Sequence, residues 1–213
     1  MNDRPAGQPS GREIARILLV TATAGYRHES IPTVWRALPE IARRAGDLSV
    51  ETILKDVDDL PALTAETLAE HEILCLVHTS GDLPLSAGQK QAILDYVAGG
   101  HGFVGIHGAT TICYDWTAYG EMLGAQFKNH PPAASFMVDV EDQEHPSTRH
   151  LPTSFEIRDE LYTFRTNPRA AVHVLLSAPS GSLGLEGDLP LAWTTTHGAG
   201  RVYYNALGHF DEL

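Results

Sequence analysis

At 213 residues the chain is the size of one α/β domain, able to bury roughly 70% of its unfolded surface without disulfide staples. Its 15 Lys and Arg against 27 Asp and Glu give a net charge of -12; this argues against nucleic acid or an anionic membrane surface as partner, because phosphates recruit clustered cations. No run approaches the ~20 apolar residues of a membrane span, and Cys75 and Cys113 alone imply no disulfide framework, so a reducing, cytoplasmic compartment is expected.

Residues 1–12 lack an apolar segment and read as a disordered leader rather than a signal peptide, leaving 13–213 as a single domain. Ile14 to Thr23, with Ile17-Leu18-Leu19-Val20 at its centre, reads as a first strand. The loop Ala24 to Glu29 leads to a helix that Ser30 is expected to cap. Pro32 sits in its first turn, and Val34, Trp35, Leu38, Ile41 and Ala42 form its core face. Leu48 to Leu54 alternates as a second strand, Thr64 to Glu70 is a short helix, and Glu72 to His78 is a third strand. A helix capped by Ser86 then runs to about Ala98.

Gly102-Phe103-Val104-Gly105-Ile106-His107 is too short and too rich in β-formers for a helix, so it reads as a buried parallel strand ending on a histidine. Gly105 and Gly108 leave room for a sharp strand-to-helix turn, the geometry that lifts a reactive side chain above a sheet edge in other α/β enzymes. From Gly124 onward the chain is richer in strands, at Ala134 to Val140, Val172 to Ser177, Leu189 to Thr195 and Arg201 to Leu207. Some of these should extend the sheet and others form an antiparallel flap over one end. Ser177 to Gly187 has the composition of a flexible loop. Strands alternating with helices predict right-handed βαβ units and a mainly parallel, doubly wound sheet flanked by helices, with a β-rich second half.

Ligands of such sheets bind at the carboxyl ends of the strands, near the reversal of strand order. His28 follows the first strand, His78 and Ser80 close the third, His107 closes the fourth and His209 follows the last, all on that edge. A buried histidine bonded to backbone is the plain alternative for any one of them, but their joint placement favours a site. His71, His101, His145, His150, His173 and His197 lack the placement and read as solvated or capping groups. Lys128-Asn129-His130-Pro131-Pro132 and Arg158-Asp159-Glu160-Leu161-Tyr162 add further polar chemistry.

Imidazoles and a carboxylate meeting in a cleft either bind a divalent metal such as Zn, Mn or Ni, or move protons; the spacing leaves both open. His28, His107 and His209 are the candidate metal ligands, and His107, Glu160 and His28 the candidate acid-base groups. Tyr26, Ser80, Trp116, His130, Asp159 and Tyr162 are the candidate substrate contacts. Gly-x-Gly-x-x-Gly and the phosphate-loop pattern are missing, so no nucleotide cofactor is expected.

In order along the chain, Gly105-Ile106-His107, Tyr114-Asp115-Trp116 with Tyr119, Leu123-Gly124-Ala125, Phe127 with His130-Pro131, and His145-Pro146 resemble the ThuA-like, or trehalose-utilisation, family. Asp159-Glu160-Leu161-Tyr162, Pro190-Leu191-Ala192-Trp193, Gly200-Arg201-Val202-Tyr203-Tyr204 and Leu207-Gly208-His209 continue the match. The resemblance implies a flavodoxin-like fold similar to class I glutamine amidotransferases. The nucleophilic cysteine of those enzymes is replaced here by His107, and neither Cys75 nor Cys113 substitutes for it, so thioester chemistry on glutamine is disfavoured. It further implies a carbohydrate-metabolism enzyme, a hydrolase or lyase acting on trehalose-type disaccharides or their 3-keto derivatives, functionally linked to a sugar oxidoreductase; a non-catalytic sugar-binding or regulatory module is the alternative. The resemblance implies that relatives continue into a further helix beyond Phe210-Asp211-Glu212-Leu213; apolar surface uncovered there would bear on stability or oligomeric state, a homo-oligomer being one outcome.

Overall fold

The first strand, β1 (Ala15–Val20), is followed by α1 (Ile31–Ala45), which opens on Pro32 and closes on Gly46 in the left-handed region. These coordinates are a computed structural model that describes residues 14–211, so the leader expected at 1–12 lies outside the described residues. The chain continues through β2 (Leu48–Leu54), α2 (Ala65–Ala69), β3 (Ile73–Val77), α3 (Ala87–Ala98), β4 (Gly102–Ile106) and α4 (Thr117–Leu123). Thr64 and Ser86 cap α2 and α3 by accepting from the backbone N–H three residues on, and Gln89 completes a capping box with Ser86. Ser30 behaves differently. It stands at the start of α1 but its hydroxyl makes no cap; it donates instead to the carbonyl of His209 across the sheet edge.

The second half adds β5 (Phe127–Asn129), β6 (Ala134–Val140), β7 (Ser154–Asp159), β8 (Thr163–Phe164), β9 (His173–Ala178), β10 (Leu189–His197) and β11 (Gly200–Asn205). Nine strands form one sheet in the order β2-β1-β3-β4-β11-β10-β9-β6-β7. Its first five are mutually parallel and the rest antiparallel. The parallel half has the flavodoxin-like arrangement, and strand order reverses between β1 and β3. The expected flap is corrected here: all four late strands enter the main sheet. The segment that flanks the carboxyl edge is the small β5-β8 ribbon, too short for its alternation to be read from sequence.

Alternation along the buried strands sorts side chains to two faces. Leu18, Val20, Leu74, Phe103, Val202 and Tyr204 pack against α2, α3 and α4, while Ile17, Leu19, Cys75 and Val77 meet Val34, Trp35 and Leu38 of α1. Each fully buried Leu or Phe contributes about 1.5–3 kcal/mol relative to exposure, and this rigid double layer fixes where the strand-end loops start. Among the described residues no helix is long and apolar enough to cross a membrane.

Candidate functional site

The carboxyl ends of β3 and β4 both turn on a histidine with left-handed backbone, His78 at φ 55° and His107 at φ 49°. Such a conformation costs a side-chain-bearing residue about 1–3 kcal/mol, and it persists where the surroundings enforce it, commonly at functional sites. The surroundings here are the two turns themselves. The His78 N–H donates to Ile106 O, Thr111 donates its hydroxyl to Thr79 O, and Gly108 lies so close to the His78-Thr79 backbone that a Cβ there would fall 2.6 Å from Thr79 O. Tyr204, buried on β11, donates to the His107 carbonyl at 2.8 Å and pins the elbow from below.

His107 is fully buried and its ring is oriented at both ends. Nδ1 lies 2.6 Å from Ala206 O and so carries the proton. Nε2 therefore presents its lone pair to the Tyr162 hydroxyl at 3.0 Å, with Glu160 Oε2 and His209 Nδ1 each 3.4 Å away. His209 Nδ1 is also 3.3 Å from Glu160 Oε2. His28 packs its ring edge-on to His107 and His209, with centroids 4.8 and 5.1 Å apart. One donor atom from each of His28, His107, Glu160 and His209 lies within 4.8 Å of the others, and among the described residues no other group of three or more His, Cys, Asp or Glu side chains converges this way.

The electrostatics keep these rings available as lone-pair donors. Burial lowers His28 to about 2, with the neighbouring His107, His78 and His209 adding to the effect and Glu160 opposing it. Burial likewise lowers His78 to about 3, and it moves His209 down against the pull of Glu160. Burial alone would raise the Glu160 carboxyl; the surrounding imidazoles of His107, His209 and His130 act against it and hold Glu160 below its ordinary value.

His28 Nδ1 is buried with no hydrogen-bond partner, an orphan that a ligand would satisfy. Three imidazoles and a carboxylate suit a borderline divalent cation. The three separations of 3.3–3.4 Å among His107, His209 and Glu160 equal the spacing of ligands ~2.0–2.1 Å from a common tetrahedral ion. The donor set therefore fits a metal.

Around this cluster opens a groove of about 480 Å³, lined by Tyr26, Ser80, Tyr114, Phe127, His130 and Tyr162 among others. His130, about a third exposed, brings Nε2 to 3.4 Å from Glu160 Oε1, the oxygen turned away from the cluster. Tyr26 stands 62% exposed at the rim, its ring parallel to that of His209. A larger hollow of about 1000 Å³ lies at the amino ends of β1 and β4, beside Ala15 and Gly102, remote from the convergent donors.

The structure thus brings together His28, His107, His209 and Glu160, and it lines the groove with Tyr26, Ser80, His130 and Tyr162. Two candidate contacts lie elsewhere. Asp159 is wholly buried behind the site, where its carboxylate accepts from the backbone N–H groups of Glu160, Gly208 and His209. It clamps the loops that carry two cluster members and does not face the groove. Trp116 stacks on Tyr119 in the core, centroids 4.8 Å apart, and is not among the groove residues. His71, expected to be solvated or capping, is buried and not solvated; it caps the carboxyl end of α2 at Thr67 O and reaches the Thr52 hydroxyl. Sequence reasoning did not assign Ser30, Tyr114 or Phe127 to the site; Tyr114 and Phe127 fall inside quoted motif segments, whereas nothing local marks Ser30 as a contact of His209.

A profile of the ThuA family, described as trehalose utilisation, matches residues 16–213. No match is found among curated proteins. Among solved structures, a ThuA-like protein from Bacteroides uniformis ATCC 8492 superposes with a TM-score of 0.75 at 24% identity, covering 99% of this chain and 88% of that one. A ThuA-like protein from Parabacteroides merdae ATCC 43184 gives 0.76 at 19% identity, covering 92% and 80%. The cytoplasmic protein STM1381 from Salmonella typhimurium LT2 gives 0.61 at 18% identity, covering 89% and 86%. These likenesses establish the shared fold, and the profile spanning nearly the whole chain establishes the lineage: the protein belongs to the ThuA family of trehalose-utilisation proteins, a carbohydrate-metabolism family.

Proposed function

We propose that this protein is an enzyme of carbohydrate metabolism that acts on trehalose-type disaccharides or their 3-keto derivatives with the help of a divalent metal such as zinc, manganese or nickel. The observation that carries the reading is the convergence of three imidazoles and Glu160 within 4.8 Å, with His28, His209 and Glu160 lining an open groove and His107 buried beneath it. His28, His107 and His209, with Glu160 Oε2, hold the cation; when bound it supplies Lewis-acid polarisation of a substrate oxygen.

The chain's own groups supply the rest. In a 3-keto sugar the carbonyl acidifies the neighbouring C2–H. Glu160 Oε1 takes that proton and His130 Nε2, 3.4 Å away, relays it. The electron pair released at C2 forms the C1–C2 double bond as the C1–O glycosidic bond breaks, and the leaving oxygen is protonated from the relay. With His107 Nε2 engaged as a ligand, the Tyr162 hydroxyl beside it would be free to donate to the developing negative oxygen. Tyr26 offers an exposed ring for a sugar face. A 3-keto substrate requires a sugar oxidoreductase upstream to supply it.

The test is elemental analysis of the purified protein followed by turnover of trehalose and 3-keto-trehalose by wild type, Glu160→Gln and His107→Ala. Stoichiometric metal, product from one of these sugars and loss of turnover in both variants support the reading. Turnover without metal assigns His107 and His28 to base chemistry instead, and saturable sugar binding with no product identifies a sugar-binding module.

A further inference from the structure

His78 offers no atom to the four-residue cluster, yet its ring packs on two of the four members, His28 and His107. Its ring is 2% exposed. One face stacks on His28, centroids 4.6 Å apart and planes within 28°, and its edge meets His107 at 5.4 Å. Its Nε2 lies 3.2 Å from the Ser30 hydroxyl oxygen, and that hydroxyl spends its one proton on the carbonyl of His209, 2.8 Å away. The Ser30 oxygen can then only accept, so His78 carries its proton on Nε2 and donates; its buried Nδ1 is left bare and without a partner. The result is a relay of fixed polarity, from His78 N–H to Ser30 O–H to His209 C=O, running beneath the cluster. A side chain held in left-handed backbone at φ 55° for no contact of its own with the groove calls for such a role.

Resting on the reading above that the cluster takes a divalent cation, we propose that His78 is a positioning residue: through its stacked face it fixes the plane of His28, and through Ser30 it fixes the backbone of His209, so that two ligands arriving from opposite ends of the chain are set before the cation binds. Outer-shell partners of this kind typically change metal affinity 10- to 100-fold.

Two variants separate the halves of the role. His78→Asn keeps a short side chain that tolerates left-handed backbone and can still donate, but it loses the stack on His28. Ser30→Ala keeps the stack and cuts the relay. Zn(II) and Mn(II) affinities by chelator competition, with thermal melts to confirm folding, should fall about 10-fold or more in each variant while stoichiometry stays at wild-type level; Glu160→Gln serves as a variant lacking a ligand. Ring ¹⁵N spectra should show the His78 proton on Nε2, with the His28 signals displaced in His78→Asn and those of His209 in Ser30→Ala. Wild-type affinity and unmoved ring signals in folded Ser30→Ala and His78→Asn overturn the proposal. If the wild-type protein itself takes up neither cation, the metal reading fails, and the positioning claim is then decided by the ring spectra alone.

Discussion

Gly108 is the place where one methyl group should disturb the site most. A Cβ at this position would lie 2.6 Å from Thr79 O and 3.1–3.2 Å from the C and Cα of His78, all of them backbone atoms that cannot swing aside. Ordinary contact begins at about 3.4 Å, so the β3 and β4 turns must separate by about 0.8 Å to accept it. Forced overpacking of this kind costs about 1–3 kcal/mol, which for a chain of this size lowers the melting temperature by about 2–12 °C. The displaced backbone carries His78 and, two residues on, Ser80, while Gly108 itself follows His107, so the loss should fall on the site as well as on stability. Gly108→Ala should therefore weaken divalent-cation binding and move the ring signals of His78 and His107. Gly88→Ala is the contrast: in the first turns of α3 a Cβ meets nothing closer than 3.9 Å, and better helix propensity should stabilise the protein by about 0.5–1 kcal/mol. Differential scanning calorimetry of both variants decides the matter. A Gly108→Ala protein that melts with the wild type and binds metal equally well would refute the interlocked-turn account.

The pH dependence of stability has a definite sign. His28 and His78 are held at about 2 and about 3 in the fold, so on acidification the unfolded chain takes up protons first. Their contribution is complete above about pH 6.5 and is lost as pH falls toward the folded values, by about 2 kcal/mol for His78 between pH 8 and pH 5. Urea unfolding of chelator-treated protein across that range should show the decline, and a flat profile would contradict the buried neutral rings. Asp159→Asn replaces a charged acceptor of three backbone N–H groups and should cost about 1.5–3 kcal/mol, while releasing the His209 loop and lowering turnover; unchanged stability in chemical denaturation would count against the clamp. Trp116→Ala should cost about 3–5 kcal/mol as a core truncation and leave sugar affinity by calorimetry unaltered, because Trp116 packs on Tyr119 away from the groove. A fall in affinity in folded protein would return Trp116 to the site.

The sequence by itself determined the parallel half of the sheet and its functional edge. Apolar runs such as Leu18-Leu19-Val20 and Leu74-Cys75-Leu76-Val77 are buried on both faces, and their boundaries and intervening helices are local signals set by period, cap and glycine. Placing His28, His107 and His209 at one edge followed from that order alone, since a doubly wound sheet brings all its parallel carboxyl ends to the same side. Only the tertiary structure decided which of the neighbouring polar residues face inward. Asp159 ends β7 and Glu160 is the first residue beyond it; the chain's path there sets one carboxylate behind the loops as a clamp and the other into the cluster. Trp116 and Tyr162 look alike as aromatics beside polar residues, and packing against Tyr119 on one hand and His107 on the other assigns one to the core and one to the groove. Ser30 resembles a helix cap until β11 delivers the His209 carbonyl from 179 residues away. Contacts of that range are fixed by how the whole sheet closes, and no local pattern of residues encodes them.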